Sequence, residues 1–519
     1  MNNSGKVSKS RLAVVGIAVL CVLIIISAVF PISTQVFNTG FLSIGLRQAE
    51  ANPGWLSGWD KRVKLTTDQT DIDADLTDFP ILLYLSTASG RNAEDISFVF
   101  DELQSDANRK KIAVTTSDAT TECYVEIEKW DDANEQAWLW IKAPSTNGTI
   151  DTNFYLYYDA DHADNTDHVG DTNSAAAESV WDSNFKFVSH MADGANTSQI
   201  YDSTGNNKDG TKKGAAEPTV ANWVIGNAQD FDGSNDYISA AISPSLSTFT
   251  LECIAKPDVI TAGASVVADT GAVEAYIQIG GAVNYYWQYH GAVSTTTAVV
   301  GTTYYLAGVQ NGSAETIYIN GASKGTASYA ITIDGLYIGR RSDGVYFNGK
   351  IDEVRVSNVA RSAAWVKATY YTEIDGLLDW GSEEGAAPAI TNTPDNYGFG
   401  ILATSTNGST TINYFTLNNT GNCPVDITIQ GTNLAGGDDT WTLSGTATPG
   451  ENIYGLYAGL DDADDDFDVV VNTTANAFVA DLPEATTQAW GLKLYMPTSV
   501  TGYDAQQMSG NITLIASAA

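Results

Sequence analysis

The sequence predicts an all-β protein, with one transmembrane helix at the N-terminus followed by three domains built from strands. The chain has 519 residues, which is too long for one ordinary domain and suggests three. Hydrophobic residues make up 43% of it, enough for packed cores. Its 12 Trp, 25 Tyr, 16 Phe and 46 Gly are typical of strands separated by many turns.

The charge balance is strongly acidic, with 26 Lys and Arg against 62 Asp and Glu, a formal net charge of −36. The negative electrostatic potential of such a chain repels phosphate backbones, so we expect no nucleic-acid partner. Cys21 lies in an apolar N-terminal run, and Cys123, Cys253 and Cys423 fall one in each predicted domain. No domain can then close its own disulfide, and we expect buried, inert thiols.

The N-terminal run "LAVVGIAVLCVLIIISAVF", residues 12–30, carries no charge and lies after Lys6, Lys9 and Arg11. Its length is close to the roughly 20 residues that span a bilayer as a helix, and its basic flank predicts export of the rest of the chain. We therefore expect residues 1–33 to be a membrane anchor and 34–54 a tether, which places the remaining residues at the cell surface. A cleaved signal segment, which would release the protein, is the alternative.

Residues 55–180 contain alternating, strand-like runs, among them "FPILLYLS", "DISFVFDE", "ECYVEIEKW" and "NFYLYYDA", and predict a β-sandwich. The polar stretch 159–179 is predicted to be a linker or long loop. The motifs "WDKRVK" (59–64), "DFPILL" (78–83) and "EIEKWD" (126–131) resemble a family of unknown function from exported prokaryotic proteins. That resemblance covers about 55–185 and implies no known activity.

Residues 181–383 contain "IGNAQDFDGSNDYIS" (225–239) and "FNGKIDEVRVSNVARS" (347–362) in the order typical of one family. Over about 181–375 the segment resembles the concanavalin A-like, laminin-G-type jelly rolls. The resemblance implies two packed antiparallel sheets. A short helix is predicted at 362–371. Residues 384–519 again show strand patterns, and predict an immunoglobulin-like or similar β-sandwich.

The stretch "FDGSNDYIS", residues 231–239, has two readings. Its Asp, Gly, Ser and Asn residues suit a tight turn, which explains the stretch by itself. The resemblance implies instead that Asp232 and Asn235 bind calcium, since related jelly rolls often hold this ion. Calcium takes six to eight oxygen ligands, so distant residues must contribute. The candidates are Asp193, Asp202 and Asp352.

The stretch "NYYWQYHG", residues 284–291, offers material for a carbohydrate site. On a strand, Tyr285, Trp287 and Tyr289 share one face and Tyr286, Gln288 and His290 the other. One set belongs to the core. The polar set, Tyr286, Gln288 and His290, is the better candidate for ligand binding, because amide and imidazole groups bond hydroxyls.

A glycoside hydrolase needs two carboxylates that flank the scissile bond. In "EIDGLLDW" (373–380) leucines stand where the further acid should be, and "EIEKWD", with Glu126 and Glu128, lies in another predicted domain. "GASKG" (321–325) matches a nucleophile pattern but lies in a predicted hairpin rather than a strand–turn–helix. We therefore expect a binding protein and no enzyme.

The function predicted from the sequence is a cell-surface binding or adhesion protein. Its jelly roll would recognise carbohydrate or a surface protein, with calcium as the cofactor to test for. The alternative is a structural subunit of a surface layer, filament or sheath, which would self-assemble; a glycoside hydrolase is the weaker alternative.

Overall fold

The computed structural model describes residues 54–519, apart from 215–216, 272–274, 282, 401, 437–438, 462–465 and 501–507. The predicted anchor at 1–33, the tether up to residue 53 and Cys21 lie outside the described residues. Within the described part, the longest helix has 11 residues, and no helix has the length and apolarity needed to cross a membrane. Strands dominate this part of the chain, so the all-β prediction is confirmed.

Two facing sheets form the first sandwich. Its elements are β1 (Lys61–Thr67), β2 (Leu76–Leu85), α1 (Phe98–Leu103), β3 (Ile112–Thr115), β4 (Glu122–Cys123), β5 (Val125–Asp131), β6 (Gln136–Thr146), β7 (Asn153–Tyr158), β8 (Val169–Asp171) and α2 (Ala175–Glu178), with 3-10 turns at Gln69–Asp71, Asp106–Asn108 and Asp132–Asn134. One sheet has the order β2-β6-β5-β8. The other has the order β1-β7-β3-β4, and the later strand Leu378–Gly385 extends it beside β1.

Two segments of the first sandwich differ from the prediction. "DISFVFDE", predicted as a strand, instead enters α1, because Val99, Phe100 and Leu103 bury one side of a helix. The stretch 159–179, predicted as a linker or long loop, contains β8 and α2, and β8 pairs in parallel with β5. A single valine in a polar run is too weak a pattern to reveal an edge strand, which its neighbour in the sheet holds in place.

Two eight-stranded sheets form the jelly roll that the family resemblance implies. The elements after α2 are β9 (Phe185–Ser189), β10 (Gln199–Ile200), β11 (Gly210–Lys213), β12 (Thr219–Asn222), β13 (Asn227–Asp232), β14 (Tyr237–Leu246), β15 (Phe249–Val259), β16 (Ser265–Ala268), β17 (Tyr276–Gly280), β18 (Tyr286–Tyr289), β19 (Ala292–Thr297), β20 (Tyr304–Asn311), β21 (Ala314–Ile319), β22 (Ala322–Ser328), β23 (Ile333–Ile338), β24 (Asn348–Ser357), α3 (Ala363–Glu373) and β25 (Leu378–Gly385). One sheet has the order β10-β11-β14-β23-β16-β17-β18-β19. The other has the order β12-β13-β24-β15-β20-β21-β22, with β9 also paired to β24.

The helix predicted at 362–371 is confirmed as α3. Ser362 caps it by accepting a hydrogen bond from the Trp365 amide over 3.1 Å. The helix packs on the first sandwich, where the Leu82 amide donates to Thr372 Oγ1 over 2.8 Å. Since β25 then pairs with β1, the chain returns to the first sandwich after the jelly roll. The domain boundaries at 180/181 and 383/384 stay predictions.

The C-terminal part is also built from strands, as predicted. They are β26 (Ile390–Thr393), β27 (Asn407–Ser409), β28 (Phe415–Asn419), β29 (Val425–Gly431), β30 (Leu434–Gly436), β31 (Asp439–Leu443), β32 (Ile453–Leu460), β33 (Val469–Val470), β34 (Asn476–Leu482), β35 (Thr487–Tyr495) and β36 (Ile512–Ala518). Their core continues into Trp55, Trp59 and Tyr157 on the outside of the first sandwich. An immunoglobulin-like topology for this part stays a prediction. Cys123, Cys253 and Cys423 are free and buried, as expected.

Candidate functional site

The predicted ligand residues lie on and just after β18, on one face of an eight-stranded sheet of the jelly roll. Trp287 and Tyr289 are fully buried in the core. Tyr286, Gln288 and His290 lie on the opposite face and are half-buried. The predicted strand and its alternation are therefore confirmed, and the polar set is the one that reaches the surface.

Two glutamines form the centre of this face. Gln278 on β17 is the cross-strand neighbour of Gln288, and its Nε2 donates to Gln288 Oε1 over 3.4 Å. Arg341 Nη1 donates to Gln278 Oε1 over 2.6 Å. Gln288 Nε2 donates to the carbonyl of His290. These bonds orient the amides, each of which keeps further donor or acceptor capacity.

A buried carboxylate fixes the imidazole of His290. Its Nδ1 lies 2.6 Å from Oε1 of Glu315 on β21, and Glu315 Oε2 also accepts the Gly291 amide over 3.0 Å. The rings of Tyr276 and Tyr329 meet the imidazole edge to face at centroid distances of 5.6 and 5.2 Å. We call the group formed by the two glutamines and their neighbours the outer face; Tyr276, Tyr286, Gln288, His290 and Arg341 in it are half-buried, and Gln278 is 6% exposed.

The stretch "FDGSNDYIS" forms a turn in the described structure. Asp232 Oδ1 accepts the amides of Ser234 over 2.7 Å and Asn235 over 3.4 Å. Gly233 has φ +75°, a conformation that glycine adopts freely. Burial raises the pKa of Asp236 to about 7, and its carboxyl accepts the Asp232 amide. The turn is therefore present, and calcium binding by Asp232 and Asn235 stays a prediction.

The other predicted calcium ligands are engaged elsewhere. Asp202 is fully buried and accepts the amides of Val188, Thr204 and Lys208. Asp193 binds the ammonium of Lys212 and accepts Gln229 Nε2 over 3.1 Å. Asp352 is fully buried, and its Oδ1 accepts the Glu353 amide over 2.8 Å. Burial raises the pKa of Asp352 well above its usual value.

A second cluster lies at the seam, which is the contact between β5 of the first sandwich and β9 and β24 of the jelly roll. Among the described residues, Glu128, His190 and Glu353 form a group whose ligand atoms all lie within 4.8 Å of one another. His190 comes directly after β9. We call Glu126, Glu128, His190, Glu353 and Arg355 the seam cluster.

Two β-bulges position the glutamates of the seam cluster. In β5, Ile127 and Lys129 face the consecutive β6 residues Leu139 and Trp138, so Glu128 is the extra residue of a bulge. In β24, the register against β15 shifts between Asp352 and Arg355, and Glu353 has φ +48°. Bulges re-aim side chains, and a positive φ is costly for a residue other than glycine. Both irregularities turn a carboxylate towards His190.

His190 is surrounded by carboxylates. Its Nδ1 lies 2.7 Å from Glu353 Oε1 and 3.4 Å from Glu128 Oε2. Its Nε2 lies 3.3 Å from Glu126 Oε2, at ion-pair distance but without an aligned hydrogen bond. Burial lowers the pKa of His190, but Glu353, Glu126 and Glu128 outweigh it and hold that pKa well above its usual value.

The surrounding groups fix these carboxylates. Glu126 accepts Trp181 Nε1 over 2.6 Å and Ser203 Oγ over 2.9 Å. Glu128 Oε2 accepts Trp140 Nε1 over 2.9 Å. Burial raises the pKa of Glu128 to about 8, against the opposing charge of His190. Burial by itself would raise the pKa of Glu353. The nearby charges of His190 and Arg355 outweigh burial and leave that pKa below its usual value, so the carboxylate is charged.

A cleft of about 410 Å³ opens beside the seam cluster. Glu128 and His190 contribute to its wall, together with Arg109 and Asp171 of the first sandwich and Asp193 and Tyr201 of the jelly roll. Arg109 bonds Asp171 through two nitrogens, at 2.7 and 2.9 Å. The cleft is therefore lined by both parts of the chain and borders Glu128 and His190.

The sequence pointed to part of the seam cluster. "EIEKWD", with Glu126, Glu128 and Asp131, was compared with a glycosidase carboxylate array and set aside because it lies in a predicted domain other than the jelly roll. His190 and Glu353 were missed. The available signal was a set of charged residues inside otherwise apolar strands, "FKFVSH" and "IDEVRV", since such residues are rarely buried without partners.

The comparisons with known proteins concern the jelly roll. Residues 231–367 match the laminin-G-type family model described as the concanavalin A-like lectin/glucanases superfamily. No curated protein matches the chain. The resemblance of residues 55–185 to a family of unknown function stays a prediction.

Among solved structures, domain 4 of AbnA, a GH43 extracellular arabinanase from Geobacillus stearothermophilus, is 20% identical, with a TM-score of 0.31; the match covers 35% of this chain and 96% of that one. The binding domain of Paraclostridial Mosquitocidal Protein 1 is 16% identical, with a TM-score of 0.29 and coverage of 36% and 52%. The sialidase of Trypanosoma rangeli is 14% identical, with a TM-score of 0.29 and coverage of 50% and 46%. This chain thus spans about half the length of the last two. Residues 231–367 are the part of this chain that carries the concanavalin A-like fold.

Proposed function

We propose that this protein binds carbohydrate at the cell surface, through the outer face of its jelly roll. One observation carries the proposal: the side chains of Gln278, Gln288 and Arg341 form an oriented polar row between half-buried tyrosines. Aromatic rings stack on the apolar faces of sugars, and amides and guanidinium groups bond their hydroxyls. The apolar N-terminal run supports the location at the cell surface.

The ligand class is inferred from charge. The chain carries a formal net charge of −36, so it repels polyanions at long range. A neutral polysaccharide is therefore the expected ligand. Calcium is not required by the hydrogen bonds of the outer face, and we expect binding to survive a chelator.

The test is affinity electrophoresis of the full chain through gels that contain neutral or acidic polysaccharides, with and without EDTA. The double variant Gln278→Ala with Gln288→Ala should bind about tenfold more weakly, because each neutral hydrogen bond contributes roughly 0.5–1.5 kcal/mol. Thr326→Ala, exposed on β22 of the other sheet, is the control and should bind normally.

Three outcomes would contradict the proposal. Retention that is the same in the double variant would place any binding elsewhere. Release of reducing ends from a polysaccharide would identify a hydrolase. Filaments or layers that form without any glycan, with no retardation in any gel, would favour the structural-subunit alternative.

A further inference from the structure

We propose that Glu128, His190 and Glu353 bind one divalent transition-metal ion of the zinc class at the seam. This site is separate from the outer face and does not depend on the proposed carbohydrate function. The ion would join β5 of the first sandwich to β9 and β24 of the jelly roll. It would be reached from the cleft that Glu128 and His190 line.

The spacing of the ligand atoms fits one small ion. Zinc binds imidazole nitrogen at about 2.0–2.1 Å and carboxylate oxygen at about 2.0–2.2 Å, so two ligand atoms of a tetrahedral site lie about 3.3 Å apart. His190 Nδ1 lies 2.7 Å from Glu353 Oε1 and 3.4 Å from Glu128 Oε2. These two separations bracket that value, and the ligand atoms of all three residues lie within 4.8 Å of one another.

Glu128 provides an independent observation that points to a ligand. Its side chain is 1% exposed, it lines the cleft, and its Oε1 has no hydrogen-bond partner in the described structure. A buried carboxylate oxygen left without a partner is costly. Gly226, at φ +44°, leaves the space that this oxygen occupies, because a Cβ there would collide with it. A cation bound by both oxygens of Glu128, the Oε2 that lies 3.4 Å from His190 Nδ1 and the unpartnered Oε1, would satisfy it.

The groups behind the three ligands have the arrangement that metal sites use to orient their ligands. Glu126 lies 3.3 Å behind His190 Nε2, so the other ring nitrogen, Nδ1, faces the ion. Trp140 Nε1 holds Glu128 Oε2, and Arg355 Nη2 holds Glu353 Oε2 over 2.5 Å. A carboxylate behind a ligating histidine is typical of such sites.

The charge of the seam also favours a cation. Glu126, Glu252, Asp352, Glu353 and Glu373 are buried together with the Glu128 side chain, and the buried cationic groups beside them are Arg355 and His190. The excess of carboxyl groups must be neutralised by protons or by a metal ion. Because the set includes an imidazole, it suits zinc or a similar ion better than calcium, which prefers oxygen ligands alone. The ion would replace the proton on His190 Nδ1, which would leave to solvent.

The test is equilibrium dialysis of the untagged full chain, stripped with a chelator, against Zn²⁺ and separately against Ca²⁺. We expect one zinc ion per chain and no calcium bound at the seam. Glu128→Gln keeps the shape of the side chain and should weaken zinc binding by about 100-fold. The matched control is Glu122→Gln, since Glu122 Oε2 lies 3.5 Å from His168 Nδ1 in a more exposed Glu–His pair, and it should bind zinc normally.

A second measurement keeps the proposal falsifiable if Glu128→Gln does not fold. X-ray absorption of the zinc-loaded, unaltered chain should show a first shell of nitrogen and oxygen that includes imidazole. A shell with sulfur, or with oxygen alone, would overturn the proposal. So would the absence of zinc binding, which would mean that protons alone neutralise the cluster, or equal affinity in the Glu128→Gln and Glu122→Gln variants.

Discussion

Arg355 on β24 of the jelly roll lies with its Nη1 2.9 Å from Oε1 of Glu373, the last residue of α3. Because α3 packs on β2 of the first sandwich, this ion pair connects the two parts of the chain. Both side chains are 1% exposed or less, and the guanidinium also stacks 4.5 Å from the ring of Trp140. The seam is thus held by buried charges as well as by apolar packing.

Replacing this guanidinium should destabilise the chain severely. Arg355→Met leaves Glu373 buried without its cation and Glu353 with His190 alone, and breaking a buried pair in this way costs about 3–5 kcal/mol. Urea unfolding followed by tryptophan fluorescence measures the loss. Arg109→Met is the control, because Arg109 and Asp171 are 31% and 39% exposed and such a pair contributes about 1 kcal/mol or less. Equal midpoints for the two variants would refute the seam argument.

Gly308 on β20 should tolerate no side chain. A Cβ there would lie within 3.0 Å of the ring of Tyr289, which is fully buried beneath the outer face. Gly308→Ala should therefore lower the free energy of unfolding by about 1–3 kcal/mol, the usual cost of overpacking a core. Gly398→Ala, where a Cβ meets nothing within 4 Å, is the matched control. Unchanged stability in the Gly308 variant would mean that Tyr289 can move away freely.

Asp375 should make the free energy of unfolding depend on pH. It lies just after α3, and its Oδ2 accepts the Gly90 amide over 2.8 Å. Burial raises its pKa to about 7, from 3.8 in the unfolded chain. Between these two values the folded state binds the extra proton, so the contribution of this group to stability falls as the pH rises from about 4 to about 7.

Asp375→Asn keeps an acceptor for Gly90 and removes the titration. As the pH rises through this window, we expect the free energy of unfolding of the native chain to fall relative to that of the variant. The measurement is urea unfolding of both proteins across the window. Parallel curves, with a constant difference at every pH, would show that the carboxyl does not titrate there.

Glu315 should affect carbohydrate binding without touching the ligand. Its carboxylate lies 2.6 Å from His290 Nδ1 and fixes the imidazole on the outer face. If the outer face binds carbohydrate, Glu315→Gln should weaken retention in affinity gels several-fold by freeing His290, with Thr326→Ala again as the control. Retention equal to that of the native chain would remove His290 from the binding site.

Much of the fold could be predicted because short sequence patterns indicate it. Alternating runs predicted the strands of the first sandwich, the family resemblance implied the two sheets of the jelly roll, and "SAAWVKATYY" (362–371) predicted α3. Where pattern is weak the prediction was wrong: α1 has only 6 residues, and β8 is a 3-residue edge strand in a polar run. Segments of this length are decided by the elements they pack against.

Of the two candidate sites, the sequence pattern predicted the outer face but not the seam cluster. The alternation of Tyr286 to His290 needs only the two-residue period of a strand, which the sequence displays. The seam cluster joins Glu128, His190 and Glu353, residues up to 225 positions apart in the chain. Their approach depends on two bulges and on how one sheet meets another, and neither is encoded in local pattern.

The sequence by itself determined that this chain is built from strands, that its middle part is a concanavalin A-like jelly roll, and which side of β18 is polar. Those properties come from side-chain periodicity and from motifs of adjacent residues. Only the tertiary structure decided that carboxylates from two distant strands, β5 and β24, meet at the histidine that follows β9. Burial and proximity depend on contacts between distant segments, which no local period encodes.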